Sequence, residues 1–328
     1  MGFERNYQIK NLSKQLNIKQ FSTFHTYSKL NPSFISGLID GEGCFVILIY
    51  KNKELKLGWR VKAWFQINLH SRDIELLLLI QEFFGNIGTI SSRKNKNTTI
   101  YTVTSIKELK NTIIPHFEKY PLQTQKAADF ILFKQIVEQM SNQVHLTKEG
   151  LQQIINIRSS MNLGLSELQI GEFPKNIPVA RPIIIPTEIP DPNWIAGFAT
   201  GESCFFVGIL KSKSNKIGYA VNLRFRIGQH DKDKKLLELI SNYLDCGKIY
   251  KHSEHVFFLV IQKFFEIKNI IIPFFEKHKI LGIKQKDYQD FFKVANLMTE
   301  GKHLTTDGLE KIQFIKANMN TQRKIPKI

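Results

Sequence analysis

A chain of 328 residues, 42% of them hydrophobic, is long enough to bury two ordinary cores. Its 46 Lys and Arg against 29 Asp and Glu leave a formal charge of +17, a field that attracts polyanions and points first to nucleic acid. The basic residues are spread along the whole chain, which argues against a membrane-surface helix. No apolar run reaches spanning length, no His/Cys spacing marks a zinc site, and Cys44, Cys204 and Cys246 read as reduced, mostly buried thiols of a reducing compartment.

Residues 1–30 are basic, with Glu4 as their one acid, and lack the apolar core of a secretory signal. They read as an N-terminal extension: a targeting segment, a nucleic-acid-binding arm or a disordered lead. A first unit occupies 31–162. Asn31 caps a short helix with Pro32 at its first position, and the helix stops near Gly41. A strand follows at Cys44–Lys51. In the next strand Trp59, Val61, Ala63, Phe65, Ile67 and Leu69 alternate with Arg60, Lys62, Trp64, Gln66, Asn68 and His70; a period of two with one apolar face is a half-buried antiparallel strand. A helix is predicted near Asp73–Phe84, strands near Thr89–Arg93 and Tyr101–Thr104, and helices over Ile106–Lys119, Thr124–Met140 and Thr147–Met161. Six of the eleven prolines then fall between Pro174 and Pro192, so 163–190 reads as an extended linker.

From residue 191 to 320 the same order returns, with 321–328 as a tail. Asn31-Pro-Ser-Phe-Ile-Ser-Gly-Leu-Ile-Asp-Gly-Glu-Gly-Cys-Phe45 is echoed by Asp191-Pro-Asn-Trp-Ile-Ala-Gly-Phe-Ala-Thr-Gly-Glu-Ser-Cys-Phe205 at an offset of 160. Ile113-Ile-Pro-His-Phe-Glu-Lys119 and His145-Leu-Thr-Lys-Glu-Gly-Leu151 return as Ile271-Ile-Pro-Phe-Phe-Glu-Lys277 and His303-Leu-Thr-Thr-Asp-Gly-Leu309 at an offset of 158. Such self-similarity means two copies of one unit. The second copy's strands read as Cys204–Lys211, 219–230, Lys248–His252 and Val256–Ile261, and its helices as Asp231–Leu244, Phe264–Lys277, Lys284–Met298 and Thr305–Met319. Each half is therefore an α+β unit of αββαββα order, a four-stranded antiparallel sheet backed by helices.

The duplicated strands separate packing from contact. Apolar positions agree between halves, Val61 with Val221, Phe65 with Phe225, Ile67 with Ile227; the opposite face differs, Arg60 with Ala220, Lys62 with Asn222, Trp64 with Arg224, Gln66 with Arg226. The diverged set is rich in side chains that hydrogen-bond to base edges and phosphates. Lys51, Asn68, Arg93, Lys94, Lys211, Lys213, Lys248 and Lys251 are read as extending this DNA-binding surface. Because the two faces differ, the site they read is expected to be non-palindromic. His70 and His230 are identical, which argues for a shared structural role.

Ile35-Ser-Gly-Leu-Ile-Asp-Gly-Glu-Gly43 and Ile195-Ala-Gly-Phe-Ala-Thr-Gly-Glu-Ser203 resemble the LAGLIDADG signature, and the layout over 31–320 resembles a single-chain, two-repeat homing endonuclease of fungal mitochondrial group I introns. Ser36, Gly37, Ala196 and Gly197 keep one face of each motif helix small, so the two helices can pack side by side and bring Glu42 and Glu202 together. Paired carboxylates repel, and divalent ions relieve the repulsion. The resemblance implies a monomer with pseudo-two-fold symmetry, its two sheets forming a saddle on double-stranded DNA. It implies Mg²⁺ as cofactor, two or more ions, with Ca²⁺ or Mn²⁺ substituting in binding, held by Glu42, Glu202 and the carbonyls of Gly41 and Gly201. Both strands of a long target would be cut across the minor groove. Gln66 and Lys263 match supporting catalytic positions of the family, with Arg226 and Ser105 as their unlike counterparts. The mitochondrion is the expected compartment. An intron RNA maturase, or a non-cleaving DNA-binding protein of this fold, is the alternative; both acids are needed only for cutting. Asp40, opposite Thr200, is read as a cap or interface contact, and Ser203 departs from the motif's last glycine.

Overall fold

The computed structural model describes residues 30–93 and 96–323. The expected N-terminal arm, Lys94 and the tail beyond 323 lie outside the described residues. In the first half, α1 (Pro32–Glu42) runs directly into β1 (Gly43–Lys51), which pairs antiparallel with β2 (Trp59–His70). A 3-10 turn leads to α2 (Ile74–Phe83), then β3 (Thr89–Arg93) and β4 (Thr98–Val103). The sheet order is β1-β2-β4-β3. Then come α3 (Ile106–Glu108), α4 (Ile114–Lys119), α5 (Lys126–Ser141) and α6 (Lys148–Arg158). After α7 (Glu167–Glu172) the second half repeats the plan: α8 (Pro192–Glu202), β5 (Ser203–Lys211), β6 (Tyr219–His230), α9 (Lys234–Leu244), β7 (Lys248–Ser253), β8 (Val256–Ile261), α10 (Phe264–Glu266), α11 (Ile272–Lys277), α12 (Ile283–Thr299) and α13 (Thr306–Ala317). Its sheet order is β5-β6-β8-β7. Among the described residues no helix is long and apolar enough to cross a membrane.

Local chemistry explains the element ends. Asn31 Oδ1 accepts from the backbone N–H of Ser33 at 2.8 Å, and Asp191 Oδ1 from that of Asn193 at 2.7 Å. The helix expected over 106–119 is broken by a π turn, Leu109–Ile113, just before Pro115; its counterpart Ile267–Ile271 precedes Pro273. A proline cannot donate inside a helix, and the wider turn absorbs the mismatch. The His-Leu-Thr landmarks are structural. Thr147 and Thr305 cap α6 and α13, accepting from Gly150 N and Gly308 N at 3.0 and 3.2 Å. His70 and His230 also share a role, each Nδ1 accepting the backbone N–H two residues on.

Each sheet buries its apolar face under helices. Phe45, Phe65, Phe117 and Phe133 fill the first core, and Phe205, Phe225, Phe275 and Phe291 occupy the same places in the second. The linker is more than a tether. Its short helix α7 has a Ser166/Gln169 capping box, and Gln169 Nε2 donates to Ile49 O on the edge of β1. Arg181 then donates to Asp129 through both terminal guanidinium nitrogens, Nη1 and Nη2, at 2.7 and 2.9 Å. Arg323 repeats the device on Asp287 at 2.6 Å.

His116 is buried beside α1, with Nε2 3.2 Å from Ser36 Oγ. Because Ser36 Oγ donates to Tyr120 O, the imidazole is the donor of that pair and stays neutral. Burial lowers its pKa from 6.5 to about 4. The unfolded chain therefore binds the extra proton between these values, and the stability this site contributes above pH 6.5 is lost as the pH falls toward 4. His116→Gln should flatten the pH dependence of Tm in that window; an unchanged slope would reject the assignment.

Candidate active site

The two halves meet along α1 and α8. A Cβ on Gly37 would collide with the carbonyl oxygen of Trp194, and one on Gly197 with that of Phe34. Ser36 and Ala196 are buried beside them. Gly37 and Gly197 permit the backbone-to-backbone approach of α1 and α8, while Ser36 turns its hydroxyl to His116 and Tyr120 O of its own half. Asp40 crosses the same interface: its carboxylate accepts from Trp194 Nε1 at 2.9 Å, from the N–H groups of Gln123 and Thr124, and from Thr124 Oγ1 at 2.6 Å. Both expected functions of Asp40, cap and interface contact, are present in one group.

At the end of the paired helices each glutamate leans on the other half's glycine. A Cβ on Gly41 would lie 3.1 Å from Cγ and 3.3 Å from Oε1 of Glu202; one on Gly201 would lie 3.1 and 3.5 Å from the same atoms of Glu42. Burial raises the pKa of both acids, and for Glu202 the charge of Glu42 adds to it. Ser203, in place of the last motif glycine, caps α8 internally by donating to Ala199 O.

Two lysines missed by the sequence reading complete the site. Lys126 Nζ donates to Ile39 O and Gly41 O at 2.8 and 2.9 Å. Lys284 Nζ donates to Gly201 O and Ser203 O at 2.7 and 2.6 Å. Burial holds both ammonium groups below the usual lysine value, and the nearby carboxylates oppose it. Lys263 is not brought here. Its side chain is 70% exposed and pairs with Glu266 at 2.9 Å, because strand β8 carries it to the sheet's end. The signal was available: Lys126 and Lys284 recur at the same offset of 158 as the landmarks, whereas Lys263 faces Ser105.

The open sheet faces carry most of the predicted contact set. Arg60, Lys62, Trp64, Gln66 and Asn68 alternate away from the core on β2, as do Asn222, Arg224 and Arg226 on β6. Arg93 and Lys248 join them by register, Arg93 facing Thr98 and Lys248 sharing Val260 with Arg226. Gln66 lies opposite Cys44, close to the acids, with its Oε1 accepting from Trp64 Nε1 at 3.1 Å. Arg226 stacks over Phe258 at 5.0 Å. Lys213 lies exposed in the turn between β5 and β6. Three lysines depart from expectation. Lys51, Lys211 and Lys251 sit in the register of core-facing residues, opposite Trp59, Tyr219 and Phe257, so they project from the helix-covered side at the sheet ends. Lys51 is further tied to Glu172 of α7. The open faces also hold apolar side chains absent from the sequence reading: Leu48 is 41% exposed and Leu210 58%. Cys44 and Cys204, expected to be buried, are half-buried on these faces, and Cys246 is buried; all three are free thiols.

A pair of like α+β units joined through their first helices, with two carboxylates at the joint, is the class this geometry defines. The family model described as LAGLIDADG endonuclease matches residues 35–137 and again 195–295, and the chain belongs to that family. It is 46% identical over 96% of its length to the probable intron-encoded endonuclease 3 of Neurospora crassa, spanning 62% of that protein, and 41% identical to that organism's probable intron-encoded endonuclease 2 over 95%, spanning 70%. Among solved structures, the I-SmaMI LAGLIDADG homing endonuclease bound to cleaved DNA superposes with a TM-score of 0.88 at 41% identity, over 90% of this chain and 99% of that one. I-LtrWI bound to target DNA gives 0.86 at 41%, over 89% and 98%.

Proposed function

We propose that the chain is a site-specific endonuclease that cuts both strands of a long, non-palindromic DNA duplex with the help of divalent cations. The observation that carries the reading is the crossed pair at the joint: Glu42 against Gly201 and Glu202 against Gly41, beneath two open, basic and unlike sheet faces. The donor set is carboxylate and carbonyl oxygen, which fits a hard cation such as Mg²⁺, with Ca²⁺ able to use the same oxygens. A structure of I-SmaMI on uncleaved target was obtained with calcium ions. When bound, such ions lower the cost of charge on a scissile phosphate and of activating water. The glycine carbonyls already accept from Lys126 and Lys284, and a carbonyl has a second lone pair to offer a metal.

The protein's own groups do the rest. Lys126 and Lys284 place a fixed positive charge beside each acid, where it stabilises charge growing on phosphate oxygen. I-SmaMI has been crystallised as a double lysine-to-alanine mutant whose two sites lie 159 positions apart, close to the 158 that separates Lys126 from Lys284 and other repeated lysines here. Arg60, Lys62, Arg93 and Asn68 on one face, and Asn222, Arg224, Arg226 and Lys248 on the other, read different half-sites through base edges and phosphates. Leu48 and Leu210 suit thymine methyls. Relatives are named for introns, one within ND4 of Podospora anserina, which supports a mitochondrial setting.

The test is cleavage of plasmids carrying intron-free junctions of fungal mitochondrial genes. Cutting at one junction with Mg²⁺ and binding without cutting in Ca²⁺ are expected, with affinity falling steeply as salt rises. No cutting of any junction, together with tight binding to intron RNA, would reject the reading.

A further inference from the structure

Asp73 and Asp233 belong to no motif, and they lie in the 3-10 turns that follow β2 and β6. Asp73 Oδ1 accepts the N–H of Ile283 at 2.7 Å. Ile283 opens α12 in the other half, and the next residue is Lys284. Asp233 Oδ1 accepts the N–H of Gln125 at 2.8 Å, and the next residue there is Lys126. Each carboxylate thus crosses the interface to the start of the helix that bears the partner half's lysine, where helix N–H groups lack partners and negative charge is favoured.

We propose that Asp73 and Asp233 are positioning residues that assemble each cleavage site across the joint. Asp73 fastens Lys284 beside Glu42 and Gly201, and Asp233 fastens Lys126 beside Glu202 and Gly41. The inference rests on the nuclease reading above. Gly282 is a second witness. It takes φ +66, ψ −156, a conformation reserved for glycine, and a Cβ there would collide with Asp73 Oδ1.

The two anchors are unequal. In the first half Thr124 stands where the second has Gly282, and Asp40 holds it through its N–H and hydroxyl. The start of α5 therefore has two carboxylates. In the second half Asp40 is replaced by Thr200, whose Oγ1 accepts from Leu281 N at 3.4 Å. The start of α12 depends mainly on Asp73.

The experiment is single-turnover cutting of a cognate duplex labelled separately on each strand, with Mg²⁺. Asp73→Ala and Lys284→Ala, though in different halves, should slow the same strand, on the order of tenfold or more, the scale of losing a group that orients a catalytic residue. Asp233→Ala and Lys126→Ala should slow the other strand, with Asp233→Ala the milder of the two aspartate variants. Asp73→Asn keeps the acceptor and should restore most of the rate, while binding of the aspartate variants in Ca²⁺ stays close to wild type. Should Asp73→Ala prove too unstable to assay, Asp73→Ser, which keeps a polar group but draws its oxygen back from Ile283, should give the same strand bias. Slowing of both strands alike by Asp73→Ala or Asp73→Ser, beside a strand-selective Lys284→Ala, overturns this inference alone. A Lys284→Ala variant that slows neither strand overturns the reading of the lysines, and this inference with it.

Discussion

Glu42→Gln is expected to abolish double-strand cutting while leaving DNA binding in Ca²⁺ nearly intact, and to make the metal-free protein more stable. The first effect follows from the donor set. Glutamine keeps the shape and one carbonyl oxygen but loses the charge that a hard cation requires. A loss of at least about 10²–10³-fold is the scale for removing one preorganised electrostatic group from a catalytic site. The second effect follows from burial. The Glu42 carboxyl has its pKa raised, so at neutral pH its ionisation works against the folded state, and a second acid stands beside it. Removing one charge relieves both costs, the usual trade of stability for activity at a site built to bind something else. Thermal unfolding in chelator should show a higher Tm for Glu42→Gln than for wild type, and added Mg²⁺ should raise the wild-type Tm more than the variant's. Unimpaired cutting would remove Glu42 from the active site. A lowered Tm in chelator would show that its carboxylate is held by contacts that outweigh its desolvation.

Both acids were legible in the sequence because the chain states its design twice. Positions that match across the halves, such as Phe45 with Phe205, are held by packing or chemistry. Positions that differ, such as Lys62 and Asn222, are free to face the ligand. The αββαββα order and the meeting of the motif helices follow from that comparison and from small residues at 36–37 and 196–197. What could not be read concerns relations between distant segments. The recurrence of Lys126 as Lys284 is visible in the chain, but that Lys126, 84 positions from Glu42, comes to lie beside the acids follows only from α5 beginning beneath the end of α1, tertiary packing that no local period encodes. The same holds for Asp73, whose partner Ile283 is 210 residues away. The lysines at 51, 211 and 251 differ for another reason: their charge suits DNA, but strand alternation puts their odd positions on the side that the helices cover.

The joint itself offers the sharpest stability test, because its cost and its catalytic consequence are separable. In Gly37→Ala the added methyl would enter the carbonyl oxygen of Trp194, a backbone atom that cannot swing aside as a side chain would. The helices α1 and α8 must move apart, and overpacking of this kind costs typically about 1–3 kcal/mol. Gly197→Ala meets Phe34 in the mirrored contact and should cost a similar amount. Gly171→Ala in α7 is the control: nothing lies near its added methyl, and alanine is the better helix former by up to about 1 kcal/mol. Its Tm should stay level or rise while that of Gly37→Ala falls by several degrees. Spreading the helices also separates Glu42 from Gly201 and Glu202 from Gly41, since both crossed contacts lie at the ends of those same helices. Folded Gly37→Ala protein should therefore cut far more slowly than its stability loss alone explains, because a misplacement of about 1 Å in a catalytic group can cost on the order of 10²-fold. Unlike the loss of one aspartate, this change should slow both strands together, since the joint is common to the two sites. A Gly37→Ala protein as stable and as active as wild type would mean that the helices do not approach as closely as the geometry requires.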